Sequence, residues 1–108
     1  MIRLEEYITE DGNSPFADWF DKLDAQAANK VNTYLTRLAD GNTSNLKPIK
    51  GVFQEVRIDL GPGYRVYAGK DGDKLIILFG GGTKQRQQKD IDNAMKLWEE
   101  YKKRKKGS

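Results

Sequence analysis

Residues 52–79 read VFQEVRIDLGPGYRVYAGKDGDKLIILF, and this stretch decides the fold class. Apolar and polar residues alternate on both sides of the glycine-proline-glycine turn at 61–63, which predicts two half-buried β-strands joined as a hairpin. Asp71 and Gly72 give a second hairpin signal. The continuous apolar run after them is typical of a central strand covered on both faces. We therefore expect three consecutive antiparallel strands.

The pairing of the first two strands can be predicted from burial. If 61–63 form a three-residue loop, Ile58 faces Val66 on an apolar side and Asp59 faces Arg65 on a polar side. A one-residue slip would mix the two sides. A surface ladder of ion pairs, each worth about 0.2–1 kcal/mol, is the ordinary interpretation of such a polar side. The predicted polar side holds Glu55, Arg57, Asp59, Arg65 and Tyr67.

Helices are predicted on both sides of these strands. Ser14 and Pro15 form a helix start, Asp24 begins a second helix, and Gly41 is placed to end it. An amphipathic pattern predicts a last helix over 90–106, and alternation near the N-terminus predicts a first strand. The order β-α-α-β-β-β-α describes an α+β domain over 1–101 with a basic tail at 102–108. One core should contain or adjoin Trp19, Phe20, Leu35, Val56, Val66, Ile77 and Trp98.

Composition narrows the possible functions. The 108 residues include no cysteine and no histidine, so the chain offers neither thiolate nor imidazole ligands for a metal and no histidine as general base. We expect no cofactor and no metal. The N-terminus lacks a long apolar run, which favours a cytoplasmic protein without a membrane segment. The net charge is only +3, but a basic run closes the chain.

The glycine-rich stretch FGGGTKQRQ at 79–87 invites a phosphate-loop interpretation. The order of residues excludes it, because Thr83 precedes Lys84 and no hydroxyl residue follows the lysine. Lys84 and Arg86 nevertheless leave the predicted central strand near Arg57 and Arg65. Such a basic concavity, with a tyrosine for stacking, suits RNA phosphates and an unstacked base.

Several segments in this order resemble the addiction-module killer proteins, HigB-like and phage-type toxins of the RelE/ParE superfamily. They are SPFADWFDKL, LADGN, GVFQEVRIDLGPGYRVY and ILFGGGTKQRQQKDIDNA, followed by an aromatic helix. The resemblance covers almost the whole chain. It implies a RelE-like fold in which two N-terminal helices and a C-terminal helix pack on a twisted antiparallel sheet.

The resemblance also implies a function. Relatives of the RelE and HigB type are metal-independent endoribonucleases that cut mRNA on the ribosome, and a neighbouring antitoxin inhibits them. The partners expected here are ribosome-bound mRNA and a helix-turn-helix, HigA-like antitoxin. Arg65 matches the superfamily arginine that contacts the scissile phosphate, Arg57 matches a basic strand position, and Lys84 lies near a third.

Chemistry assigns roles to the candidate residues and leaves alternatives open. Arginines can neutralise the charge that develops on phosphorus, and Glu55 could act as a base. We assign Arg57, Arg65, Lys84 and Glu55 to catalysis, and Tyr67, Arg86 and Lys89 to RNA binding. Glu55 stands where relatives have a basic residue, and Gln87, Gln88 and Asp90 stand where some relatives have a catalytic tyrosine or histidine. A ParE-like toxin that poisons DNA gyrase, or an inactive RNA-binding relative, therefore remains an alternative.

Overall fold

The structure is a computed structural model that describes residues 1–107. It is an α+β domain, as the sequence predicts, with helices on both faces of one five-stranded sheet. The strands are β1 (Arg3–Glu6), β2 (Leu46–Lys50), β3 (Phe53–Ile58), β4 (Tyr64–Lys70) and β5 (Leu75–Thr83). The helices are α1 (Pro15–Phe20), α2 (Ala25–Ala39) and α3 (Gln87–Lys106), with a 3₁₀ turn at Lys84–Arg86 before α3.

The helix starts follow local chemistry. The Ser14 hydroxyl accepts a hydrogen bond from the Ala17 amide at 3.0 Å, and the Asp24 carboxylate accepts one from the Ala27 amide at 2.8 Å. Each side chain satisfies an amide that has no partner inside its helix. Gly41 follows the end of α2 with φ of 101°, a conformation that favours glycine. These predicted boundaries are confirmed. Helix α3 extends through the basic run as far as Lys106.

The sheet differs from the predicted one in two ways. Its strand order is β1-β5-β4-β3-β2, and β1 pairs with β5 in parallel, so the prediction of a wholly antiparallel sheet was wrong. The crossover through α1 and α2 returns the chain to the far edge, which leaves β1 beside the most apolar strand. Strand β2 was not predicted at all, since Pro48 is unusual in a strand. An edge strand tolerates proline because one side of its backbone needs no partner.

The β3–β4 register is shifted by two residues from the predicted one. Arg57 lies opposite Arg65 and Val56 opposite Val66, so the predicted Asp59–Arg65 and Ile58–Val66 pairs were wrong. The loop spans five residues rather than three, and Gly61 and Gly63 take positive φ on either side of Pro62. A two-residue shift keeps every side chain on its predicted side of the sheet.

Two cores replace the single predicted one. The first lies between the sheet and the α1–α2 pair, and the second lies between the other face and α3. Trp19, Phe20, Leu35, Val56 and Val66 belong to or adjoin the first core, whereas Ile77 and Trp98 belong to the second. Strand β5 contributes to both cores, which confirms that it is covered on both faces. Tyr67, on the side of β4 predicted to be polar, therefore packs under α3, whereas Arg57 on β3 and Asp59 just after it remain exposed.

None of the helices within residues 1–107 is both long enough and apolar enough to span a membrane.

Candidate nucleic-acid interface

Two arginines stand side by side at one end of the sheet and share a carboxylate. Arg57 on β3 is directly opposite Arg65 on β4. The Nε atoms of Arg57 and Arg65 donate to the same oxygen, Oε2 of Glu55, at 2.6 Å and 3.2 Å. The Glu55 side chain is only 2% exposed, and it is the one buried charged residue within the described chain. The pair of ion pairs explains how this carboxylate can be buried.

The geometry leaves the outer nitrogens of both guanidinium groups available. Each arginine is held through Nε, and neither side chain makes a further hydrogen bond or ion pair within residues 1–107. A guanidinium presents its remaining N–H groups as a fork that matches two phosphate oxygens. The Arg65 side chain is 13% exposed and that of Arg57 is 55% exposed. Arg65 is therefore the more rigidly enclosed cation and Arg57 the more accessible one.

Lys84 lies at the same end of the sheet. Thr83, the last residue of β5, pairs with Tyr64, and the Lys84 amide donates to the Gly63 carbonyl at 3.1 Å. A Cβ atom at Gly63 would lie 4.0 Å from Nη1 of Arg65. Gly63 therefore adjoins both the Lys84 backbone and the Arg65 guanidinium. Arg86 and Lys89, the other predicted RNA-binding cations, are exposed in the 3₁₀ turn and in the first turn of α3.

Two of the predicted roles do not fit the positions of their residues. Tyr67 is 1% exposed, so its ring has no free face on which an RNA base could stack, and we withdraw that role. Glu55 is buried and already accepts two charged hydrogen bonds, which makes it an anchor for the arginines rather than an accessible base. The alternating pattern of a strand shows neither that a later helix will cover Tyr67 nor that two arginines will enclose Glu55.

A cavity of about 150 Å³ lies beside β5, and one of its lining residues, Tyr67, is two positions along β4 from Arg65. Strand β1 ends opposite Leu78, and beyond this point β5 lies between α1 and α3 without a strand on its outer edge. A bulge at Phe79 bends β5 there, and Gly80 takes φ of 137°. The cavity is the space left between α1, α3 and this end of β5. It is lined by Pro15, Trp19, Tyr67, Phe79, Gly80, Gly81, Asp90, Asn93, Ala94 and Leu97.

Glycines at 81 and 82 allow the two helices to approach β5 closely. A Cβ atom at Gly81 would lie 2.5 Å from the indole ring of Trp19, and one at Gly82 would overlap the carboxylate of Asp90. These contacts fix an indole and a carboxylate at the cavity. The sequence pattern assigns Trp19 to the core and no role to Asp90 or Asn93. The glycine run is the signal for this close packing, although its composition first suggests a phosphate loop.

Tyr67 also lines this cavity, and its hydroxyl is buried without a hydrogen-bond partner. It is the only buried side-chain oxygen or nitrogen within residues 1–107 that lacks one. Burial, followed by the nearby carboxylates of Glu55 and Asp90, raises the pKa of Tyr67 from 10.0 to about 12. The group is therefore a neutral phenol at physiological pH, able to donate a hydrogen bond.

Fold and site together define a small α+β protein with a cationic sheet end beside a partly polar cavity. No protein-family model matches the chain. An uncharacterized protein of Haemophilus influenzae is 41% identical over 86 residues, which covers 79% of this chain and 87% of that protein. The chain belongs to the same family as this Haemophilus protein.

Proposed function

We propose that this protein is the toxin of a type II toxin–antitoxin pair, a member of the RelE/ParE superfamily that cleaves mRNA on the ribosome. The observation that carries the proposal is the Arg57–Arg65 pair, oriented by one buried carboxylate at the end of the sheet where Lys84 begins the turn to α3. The resemblance of the sequence to the superfamily, and the helix pair packed on the sheet, support the same assignment.

The arginine pair suits the charge that RNA cleavage creates. The 2′-hydroxyl oxygen attacks the adjacent phosphorus, the bond to the 5′-oxygen breaks, and the products are a 2′,3′-cyclic phosphate and a 5′-hydroxyl. Negative charge rises on the phosphoryl oxygens in the transition state. Arg65 and Arg57 can bind these oxygens through nitrogens that Glu55 leaves unoccupied. Preorganisation by a buried carboxylate removes the cost of orienting the guanidinium groups during the reaction.

Proton transfer requires groups other than Glu55. Lys84 is exposed and makes no ion pair within the described residues, so it is the predicted residue best placed to exchange a proton with RNA. The ribosome supplies the alignment of the 2′-oxygen with phosphorus. Because correct positioning of the reacting atoms accounts for much of an enzyme's rate enhancement, a sparse site can be sufficient on a bound message.

A ParE-like function is the second candidate. The burial of Glu55 favours the ParE-like function, because a buried Glu55 leaves the site without an accessible carboxylate base and the chain contains no histidine. In that case the cationic end would bind DNA gyrase rather than the scissile phosphate. The two candidates predict different damage in cells.

One induction experiment separates the candidates. Expression should stop growth and translation, and primer extension should show cuts within messages only where ribosomes translate them. Co-expression of the adjacent small reading frame, expected to encode a HigA-like helix-turn-helix antitoxin, should restore growth by forming a complex with the toxin. A message that carries a mutated start codon is the control, since it should remain intact. Intact messages together with inhibited DNA supercoiling would overturn the ribonuclease proposal in favour of the gyrase function.

A further inference from the structure

The basic run near the end of the chain forms the last turn of α3 and is held against the rest of the fold. Lys105 donates to both carboxylate oxygens of Asp71 at 2.6 and 2.7 Å, and the Tyr101 hydroxyl donates to the same carboxylate. Arg104 donates to the backbone carbonyl of Ile8 at 2.6 Å. These bonds join the helix end to the turn between β4 and β5 and to the segment after β1. The cations of the run therefore have defined positions.

Positive charge is concentrated at this end of the molecule. The β4–β5 turn at 70–74 and the end of α3 at 99–107 together contain seven Lys or Arg residues and four Asp or Glu residues, a net charge of +3. The whole chain also has a net charge of +3, so the remaining residues sum to zero. A helix C-terminus favours cations in its own last turn. That preference does not account for Lys70 and Lys74, which lie outside the helix.

Some lysines at this end have no acidic partner. Glu99 and Asp71 each pair with one lysine of the run. Lys103 and Lys106 make no ion pair within residues 1–107. Both are exposed and lie three positions apart, on the same side of the helix, and Lys74 is exposed on the adjoining turn. We call the following set the lysine surface: Lys70, Lys74, Lys102, Lys103 and Lys106.

The lysine surface and the arginine pair lie at opposite ends of the sheet. Arg65 is opposite Gly82 near the end of β5, whereas Lys70 is opposite Ile76 near its start. Helix α3 begins just after the Lys84 turn and has 20 residues, so its last turn is about 30 Å from its first. One phosphate group cannot contact both places. The lysine surface is therefore a separate site.

The lysine surface can bind phosphates but presents no exposed aromatic ring. Trp98 is 7% exposed, and its indole stacks on the Tyr101 ring at 5.7 Å and lies under the Lys102 ammonium at 5.3 Å. Proteins that bind single strands usually combine cations with aromatic side chains on which bases stack. Duplex RNA is recognised largely by its shape and its phosphates, and lysines supply point charges for such contacts. The chemistry of this surface fits the backbone of double-helical RNA.

A lipid surface fits less well. Helices that lie on membranes bury an apolar face among the lipids beside their cations. The exposed large apolar residues within the described chain are Met1, Ile8 and Val52, and none of them lies on α3. The apolar side of α3 is buried against the sheet instead.

We propose that the lysine surface binds the phosphate backbone of double-helical RNA and attaches the protein to the RNA of the ribosome while the arginine pair contacts the message. The inference rests on the proposed function, because it names the RNA that holds the enzyme near its substrate. Attachment at a second site raises the effective concentration of the arginine pair at the message. Because lysines contact phosphates alone, the binding should be independent of sequence and strongly dependent on salt.

The salt dependence of duplex binding tests the inference. Fluorescence anisotropy would measure the affinity of the full chain for a labelled RNA duplex of about 20 base pairs, at salt concentrations from about 50 to about 200 mM. In Lys103→Gln/Lys106→Gln, the affinity at about 0.1 M salt should fall at least about tenfold. The slope of log affinity against log salt should become shallower by about 2, one for each lysine removed.

A second double variant is the matched control. Lys22→Gln/Lys30→Gln removes the same charge from exposed positions on the α1–α2 side of the sheet, so it should keep the wild-type affinity and slope. Glutamine has nearly the helix propensity of lysine, and circular dichroism would verify that both variants fold. An equal loss of affinity in the two variants would overturn the inference, because net charge alone would then explain the binding. Absence of duplex binding by the wild-type protein would also overturn it, and binding of phosphatidylserine vesicles in its place would assign the surface to a membrane.

The remaining outcomes distinguish the inference from the proposed function. Arg65→Ala should bind the duplex as the wild-type protein does, because Arg65 lies at the other end of the sheet. Duplex binding that depends on Lys103 and Lys106, in a protein that leaves messages intact in cells, would support the lysine surface and overturn ribonuclease activity. Cleavage of messages by a protein that does not bind the duplex would overturn the lysine surface and leave the ribonuclease proposal standing.

Discussion

Glu55 determines the arrangement of the candidate site at the scale of single residues. Its carboxylate is buried between two guanidinium groups that would otherwise repel each other across neighbouring strands. Removing one partner of a buried ion pair usually costs several kcal/mol, because it leaves a charge without compensation. The same burial that excludes Glu55 as an accessible base therefore fixes the positions of the cations.

Tyr67 allows a pH-dependence prediction at this scale. Its pKa is raised from 10.0 to about 12, chiefly by burial, so the folded state favours the neutral phenol. This contribution to stability is complete below pH 10, the ordinary tyrosine value, and is lost as pH rises toward about 12. The unfolding free energy should therefore decline between about pH 10 and about pH 12, and Tyr67→Phe should reduce that decline by up to about 2 kcal/mol.

Urea unfolding at several pH values measures this effect. Tyr34→Phe is the control, because Tyr34 lies on α2 and outside the core beneath α3, and it should retain the wild-type decline. An equal decline in the wild type and in Tyr67→Phe would contradict the proposed environment of the Tyr67 phenol.

At the scale of elements, local sequence signals predicted the helices well and strand pairing poorly. The Ser14 and Asp24 caps act within one turn of chain, so the residues themselves specify where α1 and α2 begin. Whether β1 is parallel or antiparallel to β5 depends on where the α1–α2 pair returns the chain to the sheet. The residues of β1 carry no signal for this choice. Strand β2 was missed for a similar reason. Its Pro48 argues against a strand unless the strand lies at the edge of the sheet, and the sequence does not show that β2 lies there.

The packing of α3 on the sheet gives a prediction at the element scale. A Cβ atom at Gly69 would overlap the indole ring of Trp98, and Gly69 does not have a positive φ, so Gly69→Ala tests packing without backbone strain. We expect a loss of about 1–3 kcal/mol in unfolding free energy, as is usual for an overpacked core. Gly107→Ala should change it by less than about 0.5 kcal/mol, because a Cβ there meets only backbone carbonyl oxygens, the nearer at 3.4 Å. Equal stability of the two variants in urea would show that α3 does not pack as described.

At the scale of the whole molecule, the arrangement of the elements explains which parts of the candidate site could be predicted from the sequence. Arg57, Arg65 and Lys84 were expected to meet because they occupy adjoining strands or a strand exit, and the structure places them at one end of the sheet. The burial of Tyr67 and the cavity beside it could not be predicted in this way. Both arise where α1 and α3 close over the end of β5, a contact between segments far apart in the chain.

The role of Arg65 is the central claim at this scale. If Arg65 binds the scissile phosphate, Arg65→Ala should lower the rate of message cleavage by about 10²–10³, as loss of one preorganised donor does. Arg65→Lys should restore only part of the rate, because an ammonium group cannot form the same two-pronged contact. Lys84→Ala should have a smaller effect, since Lys84 is exposed and its charge is screened by water.

The most direct test measures the cleavage rate of translated message in a reconstituted translation system with wild-type protein, Arg65→Ala and the double variant Glu55→Gln/Arg65→Ala. The double variant removes the carboxylate that the single change leaves with only Arg57, so it controls for loss of stability. Circular dichroism and antitoxin binding would verify that both variants fold. We predict that both are folded and at least about 10²-fold slower than the wild-type protein. A folded Arg65→Ala protein that cleaves message at the wild-type rate would contradict the account.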